Sequence, residues 1–204
     1  MKYIFVAGAP GSKWSSVVKN IYYSADIDRS DYSDARTYYH DASGEMQLMH
    51  LGAYFDPGME SNLPENLKQF TREDLEKIFD KEFSGSGVRI IKSHIFSNHI
   101  EFIKKTWPEC PLILVHRSDD SCLGWWVKCG HFAITYPLYH EYYKDLKTMA
   151  TIIKQQNAGI LNAWWEYNGK YVTDNKELCR ALKIEIPAKD YQDYVQTDVR
   201  VKVI

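Results

Sequence analysis

Residues 3–16 read YIFVAGAPGSKWSS, and this stretch predicts how the fold begins. The residues from Lys2 to Ala7 form a short apolar run of the kind found in buried strands. Gly8 to Lys13 follows with two glycines and a proline, which are typical of tight turns. From Ser15 to Tyr23, apolar side chains recur at helical spacing. We therefore expect the order strand, turn, helix.

The same N-terminal residues also have features of a secretory signal peptide. Lys2 precedes apolar residues, and Ala7-Gly8-Ala9 fits a small-x-small cleavage site. The apolar core from Tyr3 to Ala7 is, however, shorter than the ~7 to 15 residues that a signal peptide needs. We therefore expect this run to be a buried strand.

The composition is that of one globular domain, and we expect a single domain over residues 1–204. Hydrophobic residues make up 45% of the chain and charged residues 25%. Lys and Arg number 25 against 27 Asp and Glu, a net charge of −2, so no global basic field favours nucleic acid or an anionic membrane. No apolar run approaches the ~18 to 20 residues of a spanning helix. We predict neither kind of partner, and the oligomeric state stays open.

The cysteines indicate a reducing compartment. None belongs to a C-x-x-C pair, and their spacing is unlike that of a small disulfide scaffold. We therefore expect free thiols and a cytoplasmic protein. The four cysteines are Cys110, Cys122, Cys129 and Cys179.

Strand-like and helix-like patterns alternate beyond the first helix. Residues 26–64 predict mostly loops, and Thr71 with Asp74 fits a capping box at a helix start. The alternation predicts an α/β fold of three layers, with a central parallel sheet flanked by helices. The expected elements are a helix from Arg72 to Phe83, a strand from Val88 to Lys92, a helix from Asn98 to Thr106 and a strand from Leu112 to His116.

The later part of the chain is less regular. We expect mostly helix from Arg117 to about Asn168, although residues 158–168 also fit a fourth strand. A further helix is expected from Lys176 to Leu182, before Pro187. From Tyr191 onward, apolar residues alternate without an obvious pairing partner.

The segment GAPGSKWSS, residues 8–16, lies where a P-loop-type fold binds phosphate. A turn between strand and helix directs backbone N–H groups and the helix dipole at an anion. Compared with the pattern G-x-x-x-x-G-K-[ST], it lacks the Gly before Lys13 and has Trp14 in place of the magnesium-binding hydroxyl. The alternative is a Gly-Pro turn with Lys13 in solvent. The predicted phosphate-site residues are Gly8, Pro10, Gly11, Ser12, Lys13, Trp14, Ser15 and Ser16.

Two later segments bring further polar side chains to the predicted strand ends. VRIIKSH ends its strand with Lys92 and His94, and LILVHR ends its strand with Arg117. The carboxyl ends of parallel strands meet at one edge of a sheet. We therefore expect these three side chains to lie close to the loop.

Together the three segments resemble the sulfotransferase family that uses 3′-phosphoadenosine 5′-phosphosulfate (PAPS). The family's loop P-K-S-G-T-T-W aligns with residues 10–16, and its K-T-H segment with residues 92–94. Its strand followed by Arg aligns with residues 115–117, and its helix L-C-x-F-L-G-L-P with residues 178–187. The resemblance implies PAPS as co-substrate, no metal, and sulfuryl transfer to a hydroxyl or amine acceptor.

The resemblance also implies a role for each matched residue. His94 is the base that takes the acceptor's proton, and Lys92 and Lys13 stabilise the developing negative charge. Arg117 binds the 3′-phosphate through its planar fork of donors. Because imidazole titrates near neutral pH, His94 suits the role of base.

The chain departs from the family pattern at three positions. The family's loop Lys falls on Gly11 and its Gly on Lys13, so the loop cation has moved by two residues. The family's 3′-phosphate Ser falls on Trp125. The candidates to replace that missing hydroxyl are Ser121 and the backbone of Gly124, and the sequence does not decide whether either one does.

Other interpretations of these residues and of the whole chain stay open. His94 fits a structural group at a strand end, and Arg117 fits an ion pair with Asp119 or Asp120. A nucleotide or nucleoside kinase also fits, since the loop resembles the adenylate kinase loop GAPGSGKGT with one Gly missing, but it needs a magnesium site. A catalytically silent nucleotide-binding protein of the same fold is the third alternative. We predict no metal site, because none of these histidines shows metal-ligand spacing: His40, His50, His99, His131 and His140.

Overall fold

The computed structural model describes residues 1–32, 38–40, 47–59, 61–128, 145–188 and 198–204, with the backbone alone for 38–40 and 47–50. The strands in these ranges are β1 (Tyr3–Gly8), β2 (Tyr38–His40), β3 (Gln47–His50), β4 (Arg89–Lys92), β5 (Leu112–His116), β6 (Lys170–Val172) and β7 (Arg200–Val203). The α-helices are α1 (Trp14–Tyr22), α2 (Arg72–Asp80), α3 (Ile100–Thr106), α4 (Asp119–Lys128), α5 (Leu146–Glu166) and α6 (Asn175–Leu182), and 3₁₀ helices span Leu67–Gln69 and Ile95–Asn98.

The main sheet has five strands in the order β4-β1-β5-β7-β6, and β2 pairs with β3 separately. Strand β1 lies between two parallel neighbours, with Phe5 opposite both Ile91 of β4 and Leu112 of β5. Strand β7 runs antiparallel to both β5 and β6. The α/β prediction is confirmed, but the prediction of a wholly parallel sheet is wrong.

The direction of β7 follows from the connection that precedes it. Strand β6 is antiparallel to β7 and adjacent to it, so the chain enters β7 at the same edge at which it leaves β6. Helix α6 lies between the two strands in sequence. Because the chain does not cross to the opposite edge before β7, that strand runs against the others.

Helices pack on both faces of β1, and this explains why every residue of that strand is buried. Side chains alternate between the two faces. Ile4 and Val6 lie in an apolar cluster with side chains of α1 and α6. Tyr3, Phe5 and Ala7 lie in a second cluster with side chains of α2, α3 and α5. The central strand therefore joins two cores.

Local signals located several elements correctly. The capping box of α2 is present, because Thr71 accepts from the Asp74 N–H and Asp74 accepts from the Thr71 N–H. Residues 158–168, for which a strand was the alternative, belong mainly to the 21-residue helix α5. Strand β6 was not expected, and the alternating residues after Tyr191 supply β7.

Some sequence expectations fall on residues that are not described. These are the helical prediction for 129–144 and the tail from Tyr191 to residue 197. Cys110, Cys122 and Cys179 are buried and form no disulfide, as expected, while Cys129 lies outside the described ranges. Within those ranges, every helix is too short or too polar to span a membrane.

Candidate functional site

The turn between β1 and α1 has two residues in left-handed backbone conformations. Gly11 has φ of 78° and Lys13 has φ of 63°. A left-handed conformation costs a non-glycine residue about 1 to 2 kcal/mol, so the turn holds Lys13 in an unfavourable backbone conformation. Lys13 lies directly before the first residue of α1, and its carbonyl accepts the Ser16 N–H at 2.9 Å. Local strain of this kind is common at ligand-binding turns.

Gly11 packs directly against helix α4. A Cβ atom at this position would lie 2.0 Å from the carbonyl oxygen of Cys122. This position therefore excludes any side chain, on grounds of both space and backbone conformation. The contact gives a physical reason for the shifted loop cation, because a Lys at position 11 does not fit here.

His94 follows β4 and contacts the turn directly. Its Nδ1 forms a hydrogen bond with the carbonyl oxygen of Gly8. Its ring stacks on Trp14 with 4.3 Å between centroids, and Tyr54 meets it edge-on at 5.5 Å. The residue is only 3% exposed, and burial lowers the pKa of His94, although the nearby Asp56 opposes the shift. When the neutral ring donates from Nδ1 to Gly8, its lone pair is on Nε2, which is the form that a base requires.

Asp56 organises the turn that carries His94, and the sequence reasoning missed it. One carboxylate oxygen accepts from the Ser93 hydroxyl and, at 2.9 Å, from the His94 backbone N–H. The other accepts from the Tyr54 hydroxyl at 2.7 Å. Burial raises the pKa of Asp56, and His94 and these hydrogen bonds oppose the shift. Asp56 lies in a segment expected to be loop and 38 residues from His94, so no local pattern indicated the contact.

Lys92 is the last residue of β4 and has buried partners of its own. Its side chain is 1% exposed and donates to the carbonyl of Leu51. Burial lowers the pKa of Lys92 to about 8, and the charge of Asp31 opposes the shift. Asp31 itself accepts from the Tyr22 hydroxyl at 3.0 Å and from the Ala53 N–H at 2.7 Å. The catalytic role of Lys92 stays a prediction.

The structure brings Lys13 and Arg117 together around one aromatic ring. The Nζ of Lys13 lies 4.3 Å from the ring centroid of Trp125, and the Cζ of Arg117 lies 5.9 Å from it. Arg117 also donates from Nη1 to the carbonyl of Gly11 at 3.2 Å. The residue at the position of the family's Ser thus contacts both predicted ligand cations.

Arg117 forms an ion pair, with a partner that the sequence did not indicate. Its Nε donates to Asp198 at 2.6 Å, whereas Asp119 accepts from Asn157. Ser121 also donates its hydroxyl to Asp198. Burial raises the pKa of Asp198, but the bonds from Ser121 and Arg117 outweigh this and lower it. The two side chains predicted to bind a phosphate therefore share one carboxylate.

The remaining loop residues lie close to these groups. Pro10, Ser12 and Ser15 are buried, and Ser16 is half-buried. The hydroxyl of Ser12 is buried without a hydrogen-bond partner among the described residues. A buried hydroxyl in this state is a candidate donor to a ligand oxygen.

The described side chains include no group of three or more His, Cys, Asp or Glu that could hold a metal ion. His99 lies within hydrogen-bonding distance of the Glu65 carbonyl, 2.7 Å from Nε2. The other histidines considered as metal ligands lie outside the described side chains: His40, His50, His131 and His140.

No family model, curated protein or solved structure matches this chain. The functional interpretation therefore depends on the geometry at the carboxyl edge of β4, β1 and β5. There the structure joins Gly8, Trp14 and His94 on one side of the turn, and Gly11 and Arg117 on the other.

Proposed function

We propose that this protein is a PAPS-dependent sulfotransferase with a P-loop-type fold, acting on a hydroxyl or amine acceptor. One observation carries the proposal: the imidazole of His94 lies against the turn, bonded to Gly8 and stacked on Trp14. A candidate base from one strand end is thus adjacent to a candidate phosphosulfate loop from the next. Sulfuryl transfer needs this proximity, because the base must reach the acceptor while the loop holds the donor.

The turn and the first residues of α1 bind the 5′-phosphosulfate. A helix N-terminus favours negative charge, and Lys13 adds a cation immediately before it. The close contact of Gly11 with Cys122 fixes the turn against α4. Lys13 therefore approaches the ligand from a position that the backbone determines.

The transfer step is an in-line displacement at sulfur. The acceptor oxygen or nitrogen forms a bond to sulfur while the bond from sulfur to the 5′-phosphate oxygen breaks, and its electron pair leaves with 3′-phosphoadenosine 5′-phosphate (PAP). The acceptor's proton goes to Nε2 of His94. Lys13 stabilises the charge on the leaving oxygen. The Gly8 carbonyl, which is bonded to Nδ1, and the negative charge of Asp56, which accepts from the His94 backbone N–H, stabilise the imidazolium that forms.

Arg117 and Ser121 bind the 3′-phosphate in this proposal. Arg117 lies beside the turn, through its bond to Gly11, and its planar donors match phosphate oxygens. Ser121 is four residues further along the chain, on α4, and both side chains already bind an anionic group, the carboxylate of Asp198.

Calorimetric titration with PAP and with ATP plus magnesium tests the proposal. We expect PAP to bind without metal and more tightly than AMP, because only PAP carries the 3′-phosphate. Tightest binding of ATP with magnesium would support the kinase instead. Transfer of labelled sulfonate from PAPS to a panel of alcohols, phenols and amines then separates an enzyme from a silent nucleotide-binding protein.

A further inference from the structure

Asp198 lies where an incoming phosphate is expected. Its carboxylate accepts from Arg117 Nε at 2.6 Å and from the Ser121 hydroxyl. The side chain of Arg117 is only 13% exposed, whereas that of Asp198 is 44% exposed. The carboxylate of Asp198 therefore lies between the largely buried guanidinium of Arg117 and the solvent.

The antiparallel direction of β7 brings Asp198 to this position. Arg200 pairs with His116, the last residue of β5. Asp198 precedes Arg200 by two residues and thus extends beyond the end of β5, where Arg117 begins the connection to α4. A parallel β7 would place the start of the strand at the opposite edge of the sheet.

A carboxylate and a phosphate monoester compete for the same donors. Both present oxygen acceptors to the planar Arg fork and to a hydroxyl, and both bonds to Arg are charge-assisted. Two anions cannot share one guanidinium and one hydroxyl at this range without strong repulsion. A phosphate that binds Nε of Arg117 and the hydroxyl of Ser121 must therefore displace Asp198.

We propose that Asp198 is an internal competitor for the 3′-phosphate and a specificity-determining residue of this site. The inference rests on the proposed function, in which Arg117 and Ser121 bind that phosphate. Asp198 weakens the affinity for PAP. It leaves unchanged the affinity for a nucleotide with a free 3′-hydroxyl, because such a nucleotide does not need to displace it. It also favours release of PAP after transfer, a step that often limits turnover.

The test compares wild type with Asp198→Asn, which keeps the size of the side chain and removes its charge. We expect PAP to bind Asp198→Asn about tenfold more tightly or better, as for the loss of one competing charge contact, while AMP affinity changes less than about twofold. Asp120→Asn is the matched control, since it removes the same charge from the first turn of α4. The double variant Arg117→Ala with Asp198→Asn should lose the gain.

Unchanged or weaker binding of PAP by folded Asp198→Asn overturns the inference, as does an equal gain in Asp120→Asn. The Arg117 Nε–H resonance gives a readout in the wild-type protein. It should shift on addition of PAP and not of AMP, and a resonance that PAP leaves in place also overturns the inference.

Inorganic pyrophosphate separates this inference from the proposed function. If neither protein binds PAP or AMP, the proposed function fails. In that case Asp198 is still a competitor for an anion at this site only if Asp198→Asn binds pyrophosphate about tenfold more tightly than wild type and Asp120→Asn does not.

Discussion

The Nδ1 of His94 forms a hydrogen bond with the carbonyl oxygen of Gly8, 86 residues earlier in the chain. The two residues are close because β4 and β1 are parallel neighbours, with Lys92 opposite Val6. The bond directs the neutral lone pair to Nε2, so the turn itself selects the tautomer of the candidate base.

His94→Asn should abolish sulfuryl transfer while PAP affinity stays within a few-fold. The Asn amide keeps a donor near Nδ1 for Gly8, but the variant has no group at Nε2 that can accept a proton. Loss of a general base costs on the order of 10²- to 10⁴-fold in rate, measurable by single-turnover transfer of labelled sulfonate. His99→Asn is the matched control and should keep full activity. Transfer by His94→Asn at the wild-type rate would remove His94 from the mechanism.

Lys13→Ala should reduce transition-state stabilisation by on the order of 2 to 4 kcal/mol, as when a preorganised donor is removed. The measurement is kcat/KM for transfer from PAPS. Adding Gly11→Lys should not restore the rate, because a side chain at position 11 collides with Cys122. An undiminished rate in Lys13→Ala would show that Lys13 has no catalytic role.

Arg117→Ala should remove most of the preference for PAP over AMP and leave AMP affinity within a few-fold. The guanidinium is the planar donor that matches a 3′-phosphate. Calorimetry measures both affinities, with Arg180→Ala on the exposed side of α6 as the control. A variant that still prefers PAP would show that the 3′-phosphate binds elsewhere.

Gly11→Ala should destabilise the protein by roughly 2 to 4 kcal/mol, from a strained backbone together with overpacking against Cys122. Gly124→Ala in α4 is the matched control. Nothing lies within 4 Å of a Cβ there, and Ala at this helical position should stabilise by about 0.5 to 1 kcal/mol. Urea unfolding measures both, and equal midpoints for wild type and Gly11→Ala would contradict the packing argument.

Lys92 should give the protein a distinctive pH dependence of stability. Its pKa is about 8 in the folded state against 10.5 for an ordinary lysine. Between these values the unfolded chain holds more protons, so the free energy of unfolding should rise with pH, by roughly 3 kcal/mol over the window. Below pH 8 both states are charged and the dependence disappears.

The Lys92 effect is measured as the difference between wild type and Lys92→Met in urea unfolding at a series of pH values. Lys77→Met, at a side chain that is 79% exposed, is the control and should show no such difference. A wild-type curve parallel to that of Lys92→Met from pH 8 to 10.5 would contradict the assignment.

Local patterns predicted the elements whose sequence carries its own signal. The bounds of β5, Leu112–His116, agree at both ends, because Pro111 and Arg117 flank a continuous apolar run. The turn before α1 was also identified, since glycine, proline and a helical pattern occur together there. Such signals depend on neighbouring residues and need no tertiary contact.

The rest depends on contacts between distant segments. Nothing near Asp56 or Asp198 indicates that one holds the turn of His94 and the other binds Arg117, since both contacts exist only after the strands pair. The antiparallel entry of β7 between β5 and β6 likewise follows from tertiary pairing. The buried partners of Lys92 likewise come from distant segments, since the Leu51 carbonyl accepts from its amine and Asp31 supplies a counter-charge.

The position of β7 also orders the events of synthesis on the ribosome. Strands β4, β1 and β5 can pair once residue 116 has emerged, but β6 pairs in the main sheet with β7 alone. Until residues 200–203 have emerged from the ribosome, β5 has an unpaired edge, and such an edge can associate with other nascent chains. Chaperones should therefore bind most strongly to nascent chains that end after β6 and before β7.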